Sequence, residues 1–182
     1  MTSMKPIVRG IDRFATKHEL TQLLNVSSVP THVLGGEGDG PYKFYCLHVF
    51  LPTIGEVNLA ILSVGGGTEP SWIVKNARVF IGFNDRVAII WSSPRLEIRQ
   101  ANLLTLCAGF VDAPALSYVV VMGESAVIAI SNDAEVIWRQ DTDLITDFRL
   151  EGMRLRLTFS DELPLTIDLS QPGQGSEKAG MG

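Results

Sequence analysis

Histidine and cysteine are the residues of this sequence with the widest chemistry, and three of them lie near one another in the N-terminal third. Cys46 and His48 are separated by one residue, so in a strand both side chains lie on the same face, and His32 precedes them. These three groups would suit a small-ligand or metal-binding enzyme with a pocket near them. Their spacing matches no zinc-ligand pattern, and neither cysteine belongs to a Cys-x-x-Cys motif. We therefore expect no metal site and no cofactor, and keep the pocket as an alternative.

Carboxylates accumulate in the C-terminal third of the chain. Asp141, Asp143, Asp147 and Glu151 follow one another closely, and residues 124–168 hold 10 acidic against 4 basic residues, a net charge of −6. The Asp-x-Asp start is typical of a calcium loop, but the glycine and the distal glutamate of that loop are missing. A carboxylate pair for glycoside hydrolysis can be drawn from any such cluster and is not specific. The charge instead favours an acidic surface that attracts a basic protein, with a solvated set of turns as the simpler alternative.

Local signatures of common catalytic sites are missing from the sequence. It contains no Gly-x-Ser-x-Gly, no His-Glu-x-x-His and no glycine-rich loop ending in Gly-Lys-Ser or Gly-Lys-Thr. A non-enzymatic protein is therefore favoured over an enzyme. Trp72 follows Gly-Thr-Glu-Pro-Ser, which predicts a loop, and an aromatic side chain there would suit the centre of an interface.

Composition and charge exclude several further classes. The chain has 182 residues, 46% of them hydrophobic and 19% charged, with a mean hydropathy of +0.20, so it is long and apolar enough for a well-packed core. The net charge of −5 and the pI near 5.2 argue against binding to nucleic acid. No apolar run approaches the roughly 20 residues of a membrane helix, and no secretory signal is recognisable. We expect a cytoplasmic protein without membrane contact.

Short segments rich in Val, Ile and aromatic residues, separated by Gly, Pro, Asn and Asp, predict a mainly β fold of antiparallel sheets. The sheets would form a sandwich, an open barrel or propeller-blade-like repeats. Thr16 and Glu19 form a capping-box pattern that predicts one short helix over 17–25. Strands are expected at 42–51, 57–64, 77–83, 87–91, 95–99, 116–122, 126–131, 135–139, 153–159 and 163–169. We expect one domain over residues 1–170 and a disordered tail over 171–182.

Two hairpins share a pattern that indicates an internal repeat. In each, a strand leads to an Asn-Asp turn and a second strand that ends in tryptophan, over residues 80–91 and 128–138. The stretch 118–173 also resembles single β-propeller-like units of small bacterial β-proteins. The similarity lies in Val127 to Ile130, Glu135 to Trp138, Asp143 to Asp147, Gly152 to Leu157, and Leu165 to Leu169 followed by Gly173. It implies a scaffold with a binding surface and no catalytic residues.

These observations favour a non-enzymatic interaction module, comparable in size and acidity to bacterial inhibitor or immunity proteins that occlude a basic partner. The partner-binding residues would be Asp141, Asp143, Asp147, Glu151 and Trp72. A self-associating structural β-protein is a second hypothesis, because the excess of apolar residues would pair identical chains. The pocket near His32, Cys46 and His48 is the third.

Overall fold

Sixteen strands and one helix make up the part of the chain that the computed structural model describes, which is 4–36, 42–64, 68–171 and the backbone of 177–178. The predicted mainly β fold with one short N-terminal helix is therefore confirmed. The tail predicted to be disordered lies outside the described residues from 172 onward, apart from 177–178.

The strands form four separate four-stranded sheets, and the described strands close no barrel. Sheet A has the order β1-β3-β4-β2 and contains β1 (Ile7–Phe14), β2 (Thr31–Gly35), β3 (Tyr42–Leu51) and β4 (Gly55–Val64). The helix α1 (Lys17–Val26) connects β1 to β2. Sheet B is a meander of β5 (Ser71–Lys75), β6 (Arg78–Phe83), β7 (Arg86–Ser92) and β8 (Leu96–Asn102).

The other two sheets are also built from consecutive strands. Sheet C contains β9 (Cys107–Val111), β10 (Val119–Gly123), β11 (Ala126–Ile130) and β12 (Val136–Asp141). Sheet D contains β13 (Ile145–Glu151), β14 (Arg154–Phe159), β15 (Leu165–Asp168) and β16 (Glu177–Lys178). All strand pairs are antiparallel except β2 with β4, which run parallel and have β3 between them in the chain.

Successive sheets pack against each other through apolar side chains. One cluster joins sheets A and B, a second joins B and C, and a third joins C and D. The inner sheets are therefore covered on both faces, and every residue of β10 and β11 is buried. This explains the sequence Val119-Val120-Val121-Met122, where apolar residues do not alternate with polar ones.

The two ends of the stack are closed in different ways. At one end, α1 packs on β3 and β1, and Leu20 of the helix covers Cys46 and Ala60 of sheet A. At the other end, β14 alternates between exposed and buried residues, so that Arg154 and Arg156 face outward while Leu155 and Leu157 contact sheet C. A polar outer face ends the stacking because it offers no apolar surface to a further layer.

The helix begins where the capping box predicts. Thr16 accepts a hydrogen bond from the Glu19 backbone N–H, and the Glu19 side chain accepts one from the Thr16 backbone N–H. The helix extends one residue beyond the predicted end and stops at Ser27, which has an extended backbone (φ −78°, ψ 129°) and precedes Pro30 by three residues.

The two Asn-Asp hairpins occupy different places in their sheets. The first joins β6 and β7, the middle strands of sheet B, and Asn84 adopts a left-handed backbone with φ of 49°. The second joins β11 to β12, an edge strand of sheet C, and its connection is longer, over 131–135 against 84–85 in the first. Here the left-handed residue is Ala134, with φ of 67°.

Candidate functional site

The acidic residues predicted to bind a partner divide between two surfaces. Asp141 ends β12 and Asp143 lies in the loop to β13, where both line a cavity of about 190 Å³ at the junction of sheets C and D. Glu162, in the turn between β14 and β15, lines the same cavity from the other side. We call the cavity and these three carboxylates the acidic cleft. Glu162 falls between the predicted strands 153–159 and 163–169, and nothing local in the sequence shows that this connection meets the end of β12.

The carboxylates of the acidic cleft differ in how far they are neutralised. Asp141 Oδ1 accepts a hydrogen bond of 2.6 Å from Arg139 Nε, and Arg139 also donates to the Leu103 carbonyl oxygen, which holds it in place. Asp143 and Glu162 are exposed, and neither has an ion-pair partner in the described part of the chain. Among the described side chains, these two negative charges therefore face the cleft without a counter-charge.

Apolar side chains border the acidic cleft. Phe159 and Leu165 contribute buried walls, and Leu163 lines the cavity while 51% exposed. Leu144, next to Asp143 in the chain, is 59% exposed. The cleft thus combines carboxylates with apolar surface, and the apolar walls lower the local dielectric and strengthen any ion pair formed inside.

Asp147 and Glu151 lie elsewhere, on the outer face of sheet D. Both belong to the edge strand β13 and do not line the acidic cleft. Glu151 is opposite Arg154 in the register, and Arg149 is opposite Arg156. The outer face therefore mixes both signs of charge. Asp147 and Glu151 do not share the acidic cleft with Asp141 and Asp143, and their part in partner binding stays a prediction.

Trp72 lies in a strand and not, as predicted, in a loop. It belongs to β5, an edge strand of sheet B, where it pairs with Ile81 of β6 and is 38% exposed. The strand begins at Ser71, directly after Pro70, and both residue types are typical of loops. The sequence therefore did not indicate that a strand begins there. Trp72 does not line the acidic cleft, so the structure does not join it to the acidic residues.

The three residues of the alternative pocket do not share one cavity. His32 lies on the face of sheet A that contacts sheet B, because Leu34, two residues further on, is part of that core. Cys46 and His48 lie on the opposite face, where Cys46 is buried beneath α1. Burial and the nearby Asp12 carboxylate raise the pKa of the Cys46 thiol to about 11, so it is not an activated nucleophile.

His48 itself lines an open groove of about 430 Å³ on sheet A. Asp12 of β1 and Asn58 of β4 flank it, and an ion pair of 2.5 Å between Arg9 and Glu56 borders the same groove. The polar groups of the groove thus bind one another. Among the described residues, no three His, Cys, Asp or Glu side chains are arranged to hold a metal ion.

Both ring nitrogens of His48 are engaged. Nε2 is 2.9 Å from Asp12 Oδ2, and Nδ1 is 2.9 Å from Asn58 Oδ1. Burial alone would lower the pKa of His48, but the hydrogen bonds to Asp12 and Asn58 and the charges of Asp12 and Glu56 together raise it. When protonated, the ring donates from both nitrogens and has no lone pair for general-base catalysis or metal binding.

No protein-family model matches the chain, and no curated protein matches it. The resemblance of residues 118–173 to β-propeller-like units stays a prediction. In the described part of the chain, no helix has the length and apolarity needed to cross a membrane.

Proposed function

We propose that this protein is a non-enzymatic interaction module that occludes a basic surface of a protein partner through its acidic cleft. One observation carries the proposal: Asp143 and Glu162 face a cavity and have no ion-pair partner among the residues that the structure describes, beside the half-exposed Leu163 and Leu144. A lysine or arginine of the partner would supply the missing counter-charge. An apolar neighbour of that residue would cover the leucines.

The two kinds of contact have different roles in such a complex. Uncompensated carboxylates accelerate the encounter with a basic partner, and this contribution weakens as salt is added. Apolar contacts around the ion pair exclude water and slow dissociation. Arginine is the better occupant, because its planar guanidinium donates to two carboxylates at once and its stem packs on Leu163 and Phe159.

Two double variants test which acidic surface binds. Asp143→Asn with Glu162→Gln removes two charges from the acidic cleft, and Asp147→Asn with Glu151→Gln removes the same charge from the outer face of sheet D. Wild type and both variants serve as tagged baits for proteins of the source cells at low and high salt, with mass spectrometry as readout. Captured partners are then measured by calorimetry.

A basic protein retained in stoichiometric amount by wild type and by the outer-face variant, and lost from the cleft variant, supports the proposal. Two charge-assisted hydrogen bonds predict an affinity about 10- to 100-fold weaker at low salt for the cleft variant, with a flatter salt dependence. A partner held equally by both variants, or recovery of the bait alone, refutes the proposal.

A further inference from the structure

We propose that a chain of hydrogen-bonded side chains running from Asp12 to Ser27 is a pH-operated latch that holds β1 and the end of α1 against sheet A. This series of hydrogen bonds passes through His48 and Asn58. It therefore joins β1, β3 and β4 to Ser27, the residue that caps α1. It lies apart from the acidic cleft and does not depend on the function proposed there.

The orientation of the Asn58 amide decides the protonation of the latch. Asn58 is buried, and its Nδ2 donates to Ser27 Oγ at 3.2 Å, so its Oδ1 is the atom that faces His48. His48 must then donate from Nδ1 to Asn58, and its other nitrogen faces the Asp12 carboxylate, which is also an acceptor. Only the protonated imidazolium donates from both nitrogens at once.

Loss of the proton therefore breaks one link. A neutral imidazole keeps a single N–H between two acceptors, Asn58 Oδ1 and the Asp12 carboxylate, so it can donate to only one of them. The positive charge that attracts the Asp12 carboxylate is lost with the proton, so the hold on β1 weakens. The latch is closed at low pH and loosens as the pH rises through the raised pKa of His48.

The other charged groups that line the groove are already paired. Arg9 of β1 and Glu56 of β4 form an ion pair with each other across the groove. Cys46, on the same strand as His48, remains a neutral thiol near neutral pH because of its raised pKa. The latch therefore follows the protonation of His48, whose pKa is raised above its ordinary value.

The segment that the latch holds covers an apolar cluster of sheet A. Leu20, Leu23 and Leu24 of α1, with Phe14 of β1, pack over Cys46, which is fully buried. β1 is an edge strand and pairs with β3 alone. The pairing has a register shift between Val8 and Gly10, next to the latch, so the ladder of hydrogen bonds that holds β1 is irregular there. Opening of the latch would expose Cys46, which makes this thiol a natural reporter.

The test measures alkylation of Cys46 in protein carrying Cys107→Ala, so that one thiol remains. Rates are taken from pH 5.5 to 8.0 and divided by those of the same protein with His48→Gln, because this division removes the effect of pH on the thiol itself. An exposed charge pair is worth up to about fivefold in an equilibrium, so we expect a ratio of about one-fifth at pH 5.5 that rises to about one at pH 8.0. Asp12→Asn should abolish the rise.

A matched reporter separates local opening from unfolding. Cys107 lies between sheets B and C, remote from the latch, and its alkylation in protein carrying Cys46→Ala should show no change in the same ratio. A constant Cys46 ratio, or a parallel rise at Cys107, overturns the proposal. A further test uses the wild-type protein without any variant. The pH dependence of amide hydrogen exchange in β1 is compared with the titration of His48 followed by NMR. If the pH midpoints of these two curves differ, the latch is contradicted.

Discussion

Gly82 is the residue whose substitution tests the stacking of sheets B and C most directly. It lies in the buried strand β6, and a Cβ atom added there would overlap the Sγ atom of Cys107 on β9 and lie 3.2 Å from Ser71 Oγ. Cys107 is 2% exposed and Ser71 belongs to the paired strand β5, so neither neighbour can move into solvent. We predict that Gly82→Ala lowers the free energy of unfolding by about 2–3 kcal/mol, the range for overpacking a rigid core.

Removing the obstructing atom should restore most of this loss. Cys107→Ala deletes Sγ and costs about 1 kcal/mol on its own as a small cavity. In the double variant, the new Cβ of residue 82 lies 3.4 Å from the Cβ of residue 107, which is an ordinary contact distance. The double variant should therefore be about as stable as Cys107→Ala alone, which corresponds to a coupling energy of about 2 kcal/mol.

Urea unfolding followed by tryptophan fluorescence measures all four proteins of this cycle, with the slope m checked for constancy. Cys46→Ala, which removes the other buried thiol, is the control and should not rescue Gly82→Ala. If Gly82→Ala is as stable as wild type, or if the losses of Gly82→Ala and Cys107→Ala simply add, then sheets B and C do not meet at this point.

Two further predictions concern the turns. Asn84→Ala should cost about 2–3 kcal/mol, because it leaves the buried Ser63 hydroxyl, 2.7 Å from Asn84 Oδ1, without its acceptor. Asn132→Ala, which loses an exposed contact, should cost under about 1 kcal/mol in the same urea titration, and equal losses would contradict the reasoning. Ala134→Gly should raise the free energy of unfolding by about 0.5–1 kcal/mol, because its φ of 67° disfavours a side chain. Ala126→Gly, in the extended strand β11, should lower it in parallel melting curves.

Patterns along the chain were sufficient for the strands that have a distinct burial pattern. The alternation of Arg154 and Arg156 with Leu155 and Leu157 predicts a strand with one solvent-exposed and one buried face, and β14 has both. The unbroken apolar run in β10 predicts cover on both faces, and the strand lies inside the stack. The capping box likewise marks the start of the helix. Each of these signals is local, so the sequence contains it in full.

The strands that the sequence did not reveal are β1, β2, β5, β9, β13 and β16, and each is an edge of its sheet. An edge strand is stabilised by pairing on one side, and it carries the charges, glycines and neighbouring prolines that otherwise predict loops. β13, for example, includes Asp147, Arg149 and Glu151. Such segments become strands because a neighbouring strand offers its hydrogen bonds, which no window of sequence reports.

By itself, the sequence determined the fold class, the helix start and the acidity of the C-terminal third. The tertiary structure alone decided which polar residues meet: Asp143 with Glu162 across a cleft, and His48 with Asp12 and Asn58 across three strands. It also separated His32 from His48 by placing them on opposite faces of sheet A. The physical reason is that burial is periodic along the chain, whereas side-chain proximity depends on strand register and sheet stacking, which pair residues far apart in sequence.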